Sequence, residues 1–300
     1  MTIVVLAPAK VNLGLEVIRR RDDGFHDIAT VFQTISVFDR LRLETASSDS
    51  VVLTDPNVRI DANLVSRALD LSRHAGITER HWQVELSKRI PMAAGLGGAS
   101  ADAAGALAAL AEHGDRNRVE LTALALELGS DVPFLLQGGA AIASGRGERL
   151  EPLPPLSNCW MVLAAPSIEL ERKTARLYGT LGPGDFSQGS RVARVATALR
   201  DRQLPDPADL KNAFSRPLLE IIPEIARLHA AFHQAGAPFV ALSGAGPTHY
   251  AIVQELAEAL RIARTIRQDC PLPMRVLIAR PTGSGPSIHR KKTIDSTQTL

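Results

Sequence analysis

A glycine-rich segment in the first third of the chain has the residue types that bind phosphate groups. Residues 95–100 read GLGGAS and lie between a predicted strand and a predicted helix. Glycine tolerates positive φ, so consecutive backbone N–H groups can converge on one anion. The helix that follows offers free N–H groups and a partial positive charge, and Ser100 is a suitable residue to cap it. The segment therefore predicts an anion site suited to the phosphates of a nucleotide.

Two well-known phosphate loops do not match this segment. A Walker A loop requires G-x-x-x-x-G-K-[ST], and no such string occurs in the chain. A dinucleotide fingerprint requires G-x-G-x-x-G, but the sixth position here is Ser100 and the loop lies far from the first strand. Judged on its glycines alone, the segment could equally be a plain turn with a helix cap.

Five segments, in order over most of residues 1–255, resemble the superfamily of galactokinase, homoserine kinase, mevalonate kinase and phosphomevalonate kinase. They read APAKVNLGLEV, DGFHDIATVFQTI, PMAAGLGGASADAAGALAAL, GSDVPFLLQGGAAIASGRGERLEPL and LSGAGPTHYAI. The second, third and fourth are similar to the branch that acts on 4-diphosphocytidyl-2-C-methyl-D-erythritol. The resemblance implies an ATP- and Mg²⁺-dependent kinase that phosphorylates the 2-hydroxyl of this substrate in the non-mevalonate isoprenoid pathway.

The resemblance places the catalytic lysine and aspartate of the superfamily at Lys10 and Asp131. Without it, a surface lysine and a helix cap would be the simpler interpretations of these two residues. Phosphoryl transfer to an alcohol needs a base near the hydroxyl and positive charge near the oxygens that become anionic. We expect Asp131 to take the hydroxyl proton and Lys10 to stabilise the developing alkoxide. Asn12, two residues further along a strand, would face the same side as Lys10 and orient the substrate or Asp131.

Phe25, His26 and Tyr178 are the residues that the resemblance points to for cytosine recognition. An aromatic ring can stack on the base, and an imidazole can donate to or accept from its edge. Phe25 stands where the family usually has tyrosine, so stacking is kept and a phenolic hydrogen bond is lost. Tyr178 could cover the opposite face of the cytosine, although packing within a helix explains it equally well. Residues 22–26 could also form an ordinary exposed turn.

The resemblance also assigns the nucleotide site. Asn63 and Lys88 match positions near the ATP base, although both could be surface residues. The expected nucleotide contacts are Asn63, Lys88, Pro91, Met92, Ala93, Ala94, Gly95, Leu96, Gly97, Gly98, Ala99, Ser100 and Ala101. A second glycine segment, residues 244–248, is expected to close over the phosphates and the substrate through its N–H groups.

The chain departs from the family pattern at two places. Ala101 stands where the loop usually has a second serine, which removes a hydroxyl that could contact phosphate or Mg²⁺. Residues 210–214, LKNAF, keep the asparagine of the family but lack its acidic neighbour. Neither departure changes Lys10 or Asp131.

The elements that must position these residues follow from hydrophobic periodicity and turn residues. The chain reads as strand, glycine loop and alanine-rich helix around residues 82–113, and residues 217–235 read as one helix. Strand, glycine turn, strand, helix and strand follow over 239–279. We expect an α+β fold with an N-terminal nucleotide-binding domain at 1–153 and a ferredoxin-like α+β domain at 154–282, divided near the prolines of 152–155. The polar residues 283–300 predict a disordered tail.

Bulk composition excludes several classes of protein. Hydrophobic residues at 45% and charged residues at 22% are typical of a soluble globular protein. A net charge of +2 and 4% aromatic residues argue against a nucleic-acid partner. Two distant cysteines predict a reducing compartment without a disulfide or zinc site. Because the chain has no signal-peptide pattern and no long apolar run, we expect a cytoplasmic protein that contacts no membrane. We also expect a monomer or a weak homodimer.

Three other functions compete with this interpretation. A sister kinase acting on mevalonate, homoserine or a sugar would not need Phe25 and His26, because those substrates carry no base. A catalytically silent nucleotide-binding protein would not need both Lys10 and Asp131. A dinucleotide-dependent oxidoreductase does not fit the pattern of the glycine loop.

Overall fold

The computed structural model of the chain describes residues 2–55, 64–112, 118–168 and 170–291. Two predictions lie outside these ranges: the nucleotide contact of Asn63 and the last part, 292–300, of the C-terminal segment. Within the described ranges, the chain folds into two β-sheets with helices packed against them. The predicted α+β class is confirmed.

Strands account for eleven segments of the described chain. They are β1 (Thr2–Arg20), β2 (His26–Ala46), β3 (Ser50–Leu53), β4 (His81–Ser87), β5 (Ala140–Ser144), β6 (Arg149–Leu153), β7 (Trp160–Pro166), β8 (Ala241–Leu242), β9 (His249–Val253), β10 (Met274–Ala279) and β11 (Ser287–Lys291). The α-helices of the same described ranges are α1 (Leu64–His74), α2 (Gly98–Ala111), α3 (Arg118–Leu128), α4 (Val132–Gln137), α5 (Lys173–Gly179), α6 (Ser190–Arg200), α7 (Ser215–Ile221), α8 (Ile225–Gln234) and α9 (Leu256–Asp269).

The first sheet has seven strands in the order β11-β1-β2-β4-β3, and the hairpin of β5 and β6 joins it through β2. Neighbouring strands are antiparallel, except that β3 runs parallel to β4. The long strand β2 pairs with β5 at residues 30–33 and with β4 at residues 40–46. β2 therefore belongs both to the part of the sheet that contains β5 and β6 and to the part that contains β4 and β3. Its residues 34–39 lie between the two pairings.

β1 is longer than predicted and irregular in its second half. Buried and half-exposed residues alternate over 2–6, whereas every residue over 7–17 is buried, so both faces of the strand are covered there. The pairing of β1 with β2 shifts register at Pro8/Ala9, Asn12/Leu15 and Val17/Arg19. Such bulges re-aim side chains and are common beside functional sites. Lys10 and Asn12 lie between the first two shifts.

α2 packs directly against β1 because its residues are small. Alanine and glycine dominate the helix, and most of its residues are buried. A β-carbon added to Gly105 would lie 3.2 Å from Val5 Cγ1 and 3.3 Å from Ala7 Cβ. The alanine-rich sequence therefore brings the first turn of α2, and the glycine loop before it, close to the strand that carries Lys10.

The second sheet has four antiparallel strands in the order β10-β7-β9-β8. Helices separate β7 from β8, and α9 separates β9 from β10, which gives the β-α-β-β-α-β succession of ferredoxin-like folds. Buried residues of α8 and α9, including Phe232 and Ile262, pack with Val162 and Ala251 of the sheet. The prediction of a ferredoxin-like second part is confirmed.

The C-terminal segment differs from the prediction of a disordered tail. Residues 287–291 form β11, which pairs with residues 2–6 of β1 and completes the first sheet. Gly285 N also donates a hydrogen bond to Gln137 O, at 3.1 Å. The polar composition of this segment concealed a strand because the strand lies at the edge of the sheet, where the side chains of Ser287, His289 and Arg290 are exposed.

Two further differences come from proline. The predicted helix over 217–235 is divided into α7 and α8, because Pro223 cannot donate the backbone hydrogen bond that a continuous helix needs. Part of the proline-rich stretch at 152–155 is strand rather than linker. Pro152 belongs to β6, which within the described chain pairs only with β5. Among the described residues, the other edge of β6 forms no strand pairing, so a residue without a backbone N–H is tolerated there.

The largest hydrophobic core crosses from one sheet to the other. It joins residues of the first sheet with α6 and with β7 and β9 of the second, for example Val192, Leu163 and Tyr250. Across the described residues, no helix combines the length and the apolar character needed to cross a membrane.

Candidate active site

Lys10 and Asp131, 121 positions apart in the sequence, meet at the base of a cavity. The Lys10 Nζ atom lies 3.4 Å from Asp131 Oδ2. The lysine side chain is only 5% exposed, whereas that of Asp131 is 32% exposed. The carboxylate can therefore reach a ligand in the cavity while the ammonium group supports it from below.

Asp131 precedes α4 at the position where a capping residue is expected, but it does not cap the helix. Its side chain makes no hydrogen bond to the N–H groups of the first turn. Pro133 lies in that turn and has no N–H to offer. The carboxylate is therefore free to face Lys10, which removes the helix-cap interpretation of this residue.

Asn12 fixes the lysine from the other side. Lys10 Nζ donates a hydrogen bond to Asn12 Oδ1 at 2.7 Å, so the two side chains share one face of β1 as predicted. Asn12 Nδ2 donates to Thr30 Oγ1 at 2.9 Å, and the backbone N–H of Asn12 donates to Ser243 Oγ at 3.3 Å. Tyr250 Oη donates to the Asn12 carbonyl at 2.8 Å. This network orients the amide oxygen toward Lys10.

The glycine loop lies against the same lysine. The Lys10 N–H donates to the Leu96 carbonyl at 3.0 Å. Gly97 has φ +73°, and a β-carbon there would lie 3.0 Å from Lys10 Cγ and 3.2 Å from Leu135 Cδ1. Only glycine combines this backbone conformation with so close an approach.

Ser100 does not cap α2 as predicted. The capping position is Gly97, and Ser100 is the third residue of the helix. The N–H of Ala101 starts the helical pattern by donating to Gly97 O at 2.8 Å. The three N–H groups before it, at residues 98–100, therefore have no helical partner and are available to an anion.

The loop docks onto the second glycine segment, the turn at residues 244–248, and onto Ser243 just before it. A β-carbon at Gly95, which has φ +82°, would lie 2.2 Å from Ser243 O. Ser243 Oγ donates to Gly95 O at 2.9 Å, and the Thr248 N–H donates to Ala94 O at 3.2 Å. We call this contact between residues 93–97 and 243–248 the seam.

The asparagine of the LKNAF segment supports the turn. Asn212 Nδ2 donates to Leu242 O at 3.0 Å and to Gly244 O at 2.9 Å. Its Oδ1 accepts from the Phe214 N–H at 2.9 Å. Asn212 is buried and all of these partners lie within the protein, so the missing acidic neighbour leaves this arrangement intact.

A cavity of about 810 Å³ lies above the Lys10–Asp131 pair. Its lining includes the residues predicted for the substrate together with Arg20, Arg146, Thr174, Phe186 and Phe214. Among the described residues that line it, three carry a positive charge, Lys10, Arg20 and Arg146, and one carries a negative charge, Asp131. The cavity is therefore suited to a ligand that carries several negative charges.

His26 and Tyr178 stack on one another at the far end of this cavity. Their ring centroids are 4.5 Å apart with an interplanar angle of 18°. Phe186 meets His26 edge-on, and Phe214 meets Tyr178 edge-on. His26 covers one face of the Tyr178 ring and Phe214 meets that ring edge-on, so the role of Tyr178 on the face of cytosine opposite to Phe25 stays a prediction.

The ionisation of both rings is shifted toward the neutral form. Burial lowers the pKa of His26 below its usual 6.5, and the charge of Arg20 adds to this effect. Burial raises the pKa of Tyr178 to about 12, with a further contribution from Asp131. At neutral pH His26 is therefore an uncharged imidazole with one donor and one acceptor.

Phe25 is 50% exposed at the entrance of the cavity. The guanidinium group of Arg146 lies over its ring, 4.1 Å from the centroid. This cation–π contact holds Arg146 at the edge of the cavity. The ring that replaces the usual tyrosine therefore lies at the rim, away from the stacked pair.

Lys88 lies beneath the glycine loop and is engaged by two buried carboxylates. Its Nζ donates to Asp39 Oδ2 and, at 2.6 Å, to Asp102 Oδ2. Asp39 Oδ1 also accepts from the N–H groups of Arg89 and Ile90, at 2.5 and 2.8 Å. We call Asp39, Lys88 and Asp102 the buried triad. It ties β2, the end of β4 and α2 together. Because both carboxylates already engage the ammonium group of Lys88, its contact with an ATP base stays a prediction.

Protons are distributed unequally over the buried triad. Burial raises the pKa of Asp102 well above its usual value, and the charge of Asp39 adds to the rise against the opposing effect of Lys88. Burial on its own would lower the pKa of Lys88, but Asp102 and Asp39 raise it overall. Asp102 Oδ1 has no hydrogen-bond partner among the described residues, which is consistent with a protonated carboxyl.

The remaining residues predicted for the nucleotide form the loop itself. Met92, Ala93 and Ala99 are exposed, whereas Ala94 and Leu96 are buried under the loop. Pro91, Gly95, Gly97, Gly98 and Ser100 are half-exposed. Ala101 is fully buried, so its methyl group packs in the protein interior.

Several residues of the site were missed by the sequence prediction. Thr30 and Tyr250 orient Asn12, and Lys173 donates to the carbonyls of Ala93 and Gly246 across the seam. The segments that resemble the kinase superfamily include Thr30 and Tyr250, but a threonine and a tyrosine in buried strands carry no local sign of function. Lys173 begins a short helix in a segment without such a match.

The described residues contain no cluster of three or more histidine, cysteine, aspartate or glutamate side chains that could hold a metal ion. Mg²⁺ in kinases is commonly held by one or two protein groups together with phosphate oxygens. Ser100, in the first turn of α2, and Asp131, beside Lys10, offer side-chain oxygens of the kind that Mg²⁺ takes as ligands. These two groups do not by themselves form a complete ligand set, so a metal ion here would need phosphate oxygens as further ligands.

The chain matches two family descriptions in order. Residues 63–139 match the GHMP kinases N terminal domain, and residues 193–272 match the GHMP kinases C terminal domain. Several similar curated proteins are named 4-diphosphocytidyl-2-C-methyl-D-erythritol kinase. The protein of that name from Dehalococcoides mccartyi is 35% identical over 89% of this chain and 94% of its own. That from Pelotomaculum thermopropionicum is 37% identical over 89% of this chain and 95% of its own.

Solved structures agree with these relatives. A crystal structure of 4-(cytidine 5'-diphospho)-2C-methyl-D-erythritol kinase superposes with a TM-score of 0.76 and 34% identity, covering 94% of this chain and all of that chain. Homoserine kinase from Cytophaga hutchinsonii superposes with a TM-score of 0.75 at 20% identity, covering 96% of this chain and 97% of its own. The second likeness concerns the fold alone.

Proposed function

We propose that this chain, which belongs to the 4-diphosphocytidyl-2-C-methyl-D-erythritol kinase family of the GHMP kinases, uses ATP to phosphorylate 4-diphosphocytidyl-2-C-methyl-D-erythritol, a step of isoprenoid precursor synthesis. The observation that carries the proposal is the pair of Lys10 and Asp131, 3.4 Å apart beside a glycine loop with open N–H groups. A base, a cation and an anion cradle are the parts that phosphoryl transfer to an alcohol requires.

The reaction follows from the positions of these groups. The 2-hydroxyl of the substrate lies against Asp131, which accepts its proton as the oxygen forms a bond to the γ-phosphorus of ATP. The bond from that phosphorus to the bridging oxygen of the β-phosphate breaks, and ADP leaves. Lys10 stabilises the charge on the attacking oxygen, and Asn12 holds the lysine in place.

The glycine loop contributes positioning and charge stabilisation. Its N–H groups and the unpaired ones at the start of α2 bind the phosphates of ATP without a side-chain cation of the Walker A kind. Ser100 or Asp131 would be the protein groups that hold Mg²⁺, which, when bound with the nucleotide, would add positive charge near the transferring group. Because the loop also contacts Lys10, nucleotide and catalytic lysine are placed relative to each other.

Cytosine recognition falls to the far end of the cavity. The neutral imidazole of His26 can donate one hydrogen bond and accept one, which complements the donor and acceptors on the edge of cytosine. The aromatic group formed with Tyr178 and Phe186 offers a stacking surface. Arg20 and Arg146 line the same cavity and are suited to the diphosphate of the substrate.

Product analysis tests the proposal. We expect the purified protein, incubated with ATP, Mg²⁺ and the diphosphocytidyl substrate, to give ADP and one new phosphomonoester. Coupling between phosphorus and the carbon skeleton in ³¹P NMR should place that ester on the 2-hydroxyl. The Asp131→Asn protein serves as the blank. Phosphate on another hydroxyl, or an equal yield from the blank, would show that the acceptor position or the base is assigned wrongly.

A further inference from the structure

Lys173 is a cation without an anionic partner among the described residues. It begins α5, and its Nζ donates hydrogen bonds to the backbone carbonyls of Ala93 and Gly246. These two carbonyls lie on opposite sides of the seam, one in the phosphate loop and one in the glycine turn. The ammonium group thus occupies the junction of the two segments that surround the expected phosphates.

The surroundings of this lysine leave its charge poorly compensated. Burial of a charge is unfavourable unless an opposite charge accompanies it. Burial lowers the pKa of Lys173 to about 8, and the positive charge of Lys10 on β1 contributes to the decrease. Asp131 does not compensate Lys173, because its carboxylate pairs with Lys10. An arriving anion would supply the missing partner.

A second cavity, of about 360 Å³, opens at Lys173. It adjoins the larger cavity, because both are lined by Gly95, Thr174, Ala175 and Ala245. The described residues around it include two cations, Lys173 and Arg172, and no carboxylate. An extended phosphate chain could therefore run from this cavity along Gly95 toward Lys10.

We propose that Lys173 is a ligand-binding residue of the reaction, whose ammonium group binds the diphosphate of a reacting ligand at the seam. The inference rests on the proposed kinase function. ATP and the diphosphocytidyl substrate both contain a diphosphate, so the chemistry is shared by two sources. The nucleotide is the expected one, since Ala93 belongs to the phosphate loop. On binding, the ammonium group exchanges its carbonyl partners for phosphate oxygens, which are stronger acceptors.

Calorimetric titrations with ADP and, separately, with CDP test the proposal. The variants are Lys173→Met, which removes charge and donors, Lys173→Gln, which keeps donors for the carbonyls, and Lys173→Arg, which keeps the charge. We expect the dissociation constant of ADP to rise about tenfold for Met and Gln and to stay within about threefold for Arg. Arg176→Met is the matched control, because Arg176 lies on the same helix, is exposed and lines neither cavity.

The outcomes separate this inference from the proposed function. A wild-type protein that binds neither ADP nor CDP would refute the kinase assignment itself. A rise of about tenfold in the dissociation constant of CDP, with that of ADP unchanged, would support Lys173 as a residue that binds diphosphate and assign it to the diphosphocytidyl substrate. If Lys173→Gln binds both diphosphates as the wild type does, the residue only ties the seam together and the proposal is wrong.

A pH titration gives a readout that a purely structural role would not change. Lysine loses its positive charge above its pKa, so raising the pH from about 7 to about 9 should weaken ADP binding to the wild type. The guanidinium group of Lys173→Arg stays charged over this range, and its ADP affinity should change much less. Lys10 contributes to the pKa of Lys173, Arg172 lines the same cavity and Glu171 precedes it in the chain, and both proteins retain these three charged residues. Parallel pH profiles for the two proteins would contradict the proposal.

Discussion

At the scale of single residues, the chemistry depends on side chains that are held by partners distant in sequence. Lys10 is held by Asn12, and Asn12 by Thr30, Ser243 and Tyr250. The motif resemblance predicted that Lys10 and Asp131 lie together and that Asn12 faces Lys10. It could not predict the supporting hydroxyl groups, because serine, threonine and tyrosine in strands are ordinary until the register between strands is known.

The first prediction concerns Asp131. We expect Asp131→Asn to retain its fold and its affinity for ATP while kcat falls by about 10²-fold or more, because an amide cannot accept the hydroxyl proton. Asn is nearly the same size, and Asp131 makes no capping bond that the change would break. Steady-state kinetics and ATP titration measure the two effects. Near-normal turnover by a folded variant would remove Asp131 from the role of base.

The second prediction concerns His26. We expect His26→Ala to weaken kcat/KM for the diphosphocytidyl substrate by roughly 2 kcal/mol, because a hydrogen-bonding edge and a stacked ring are both lost. The KM for ATP should change by no more than about threefold, since no phosphate contact is removed. Phe25→Leu is the matched control at the rim. It should cause a smaller loss, because Phe25 is half exposed and contacts Arg146 instead of the stacked pair. An effect of His26→Ala on ATP alone would disprove the cytosine role.

At the scale of elements, the glycine loop is shaped by its contacts with β1 and with the glycine turn. The order of strand, glycine loop and alanine-rich helix was predictable from the sequence. The position of the loop relative to β1 and to the glycine turn was not, because those contacts join segments far apart in the chain. The prediction that Ser100 caps α2 was wrong for the same reason. Gly97, whose positive φ and close contact with Lys10 depend on a distant strand, holds the capping position instead.

The third prediction tests this loop. Gly97→Val should abolish measurable ATP binding in calorimetry, because valine resists positive φ and its side chain would press on Lys10 and Leu135. Gly184→Val provides the control. Gly184 has ordinary φ, and an added β-carbon would meet nothing within 4 Å. Unchanged ATP affinity in a folded Gly97→Val protein would mean that the phosphates bind elsewhere.

The fourth prediction tests the buried triad. Lys88→Met should lower the free energy of unfolding by about 3–5 kcal/mol, because it leaves the buried carboxyl groups of Asp39 and Asp102 without their cation. Arg290→Ala also removes an ion pair, with Glu112 at the end of α2, but the side chains of that pair are nearly half exposed. Its loss should cost at most about 1 kcal/mol. Urea denaturation, followed by circular dichroism, measures the free energy of unfolding of both variants. Equal decreases would show that the buried triad contributes no more to stability than an exposed ion pair.

At the scale of the whole molecule, the site lies where the two sheets meet. Lys10 and the loop belong to the first sheet and its helices, whereas the glycine turn joins β8 to β9 of the second. The order of elements predicted both sheets, but the return of the chain to the edge of β1 through β11 was missed. A polar edge strand has no periodic apolar signal, and only its pairing with β1 reveals it.

The measurement that tests the central claim most directly is an ADP-release assay with a panel of acceptors. The panel contains the diphosphocytidyl substrate, mevalonate, homoserine and galactose, each with ATP and Mg²⁺, and the Asp131→Asn protein is the blank. The account predicts ADP release that depends on the diphosphocytidyl substrate and is lost in the blank, with little or none for the other three acceptors. Comparable or faster release with mevalonate, homoserine or galactose would contradict it, because His26 and the stacked aromatic group would then have no base to read.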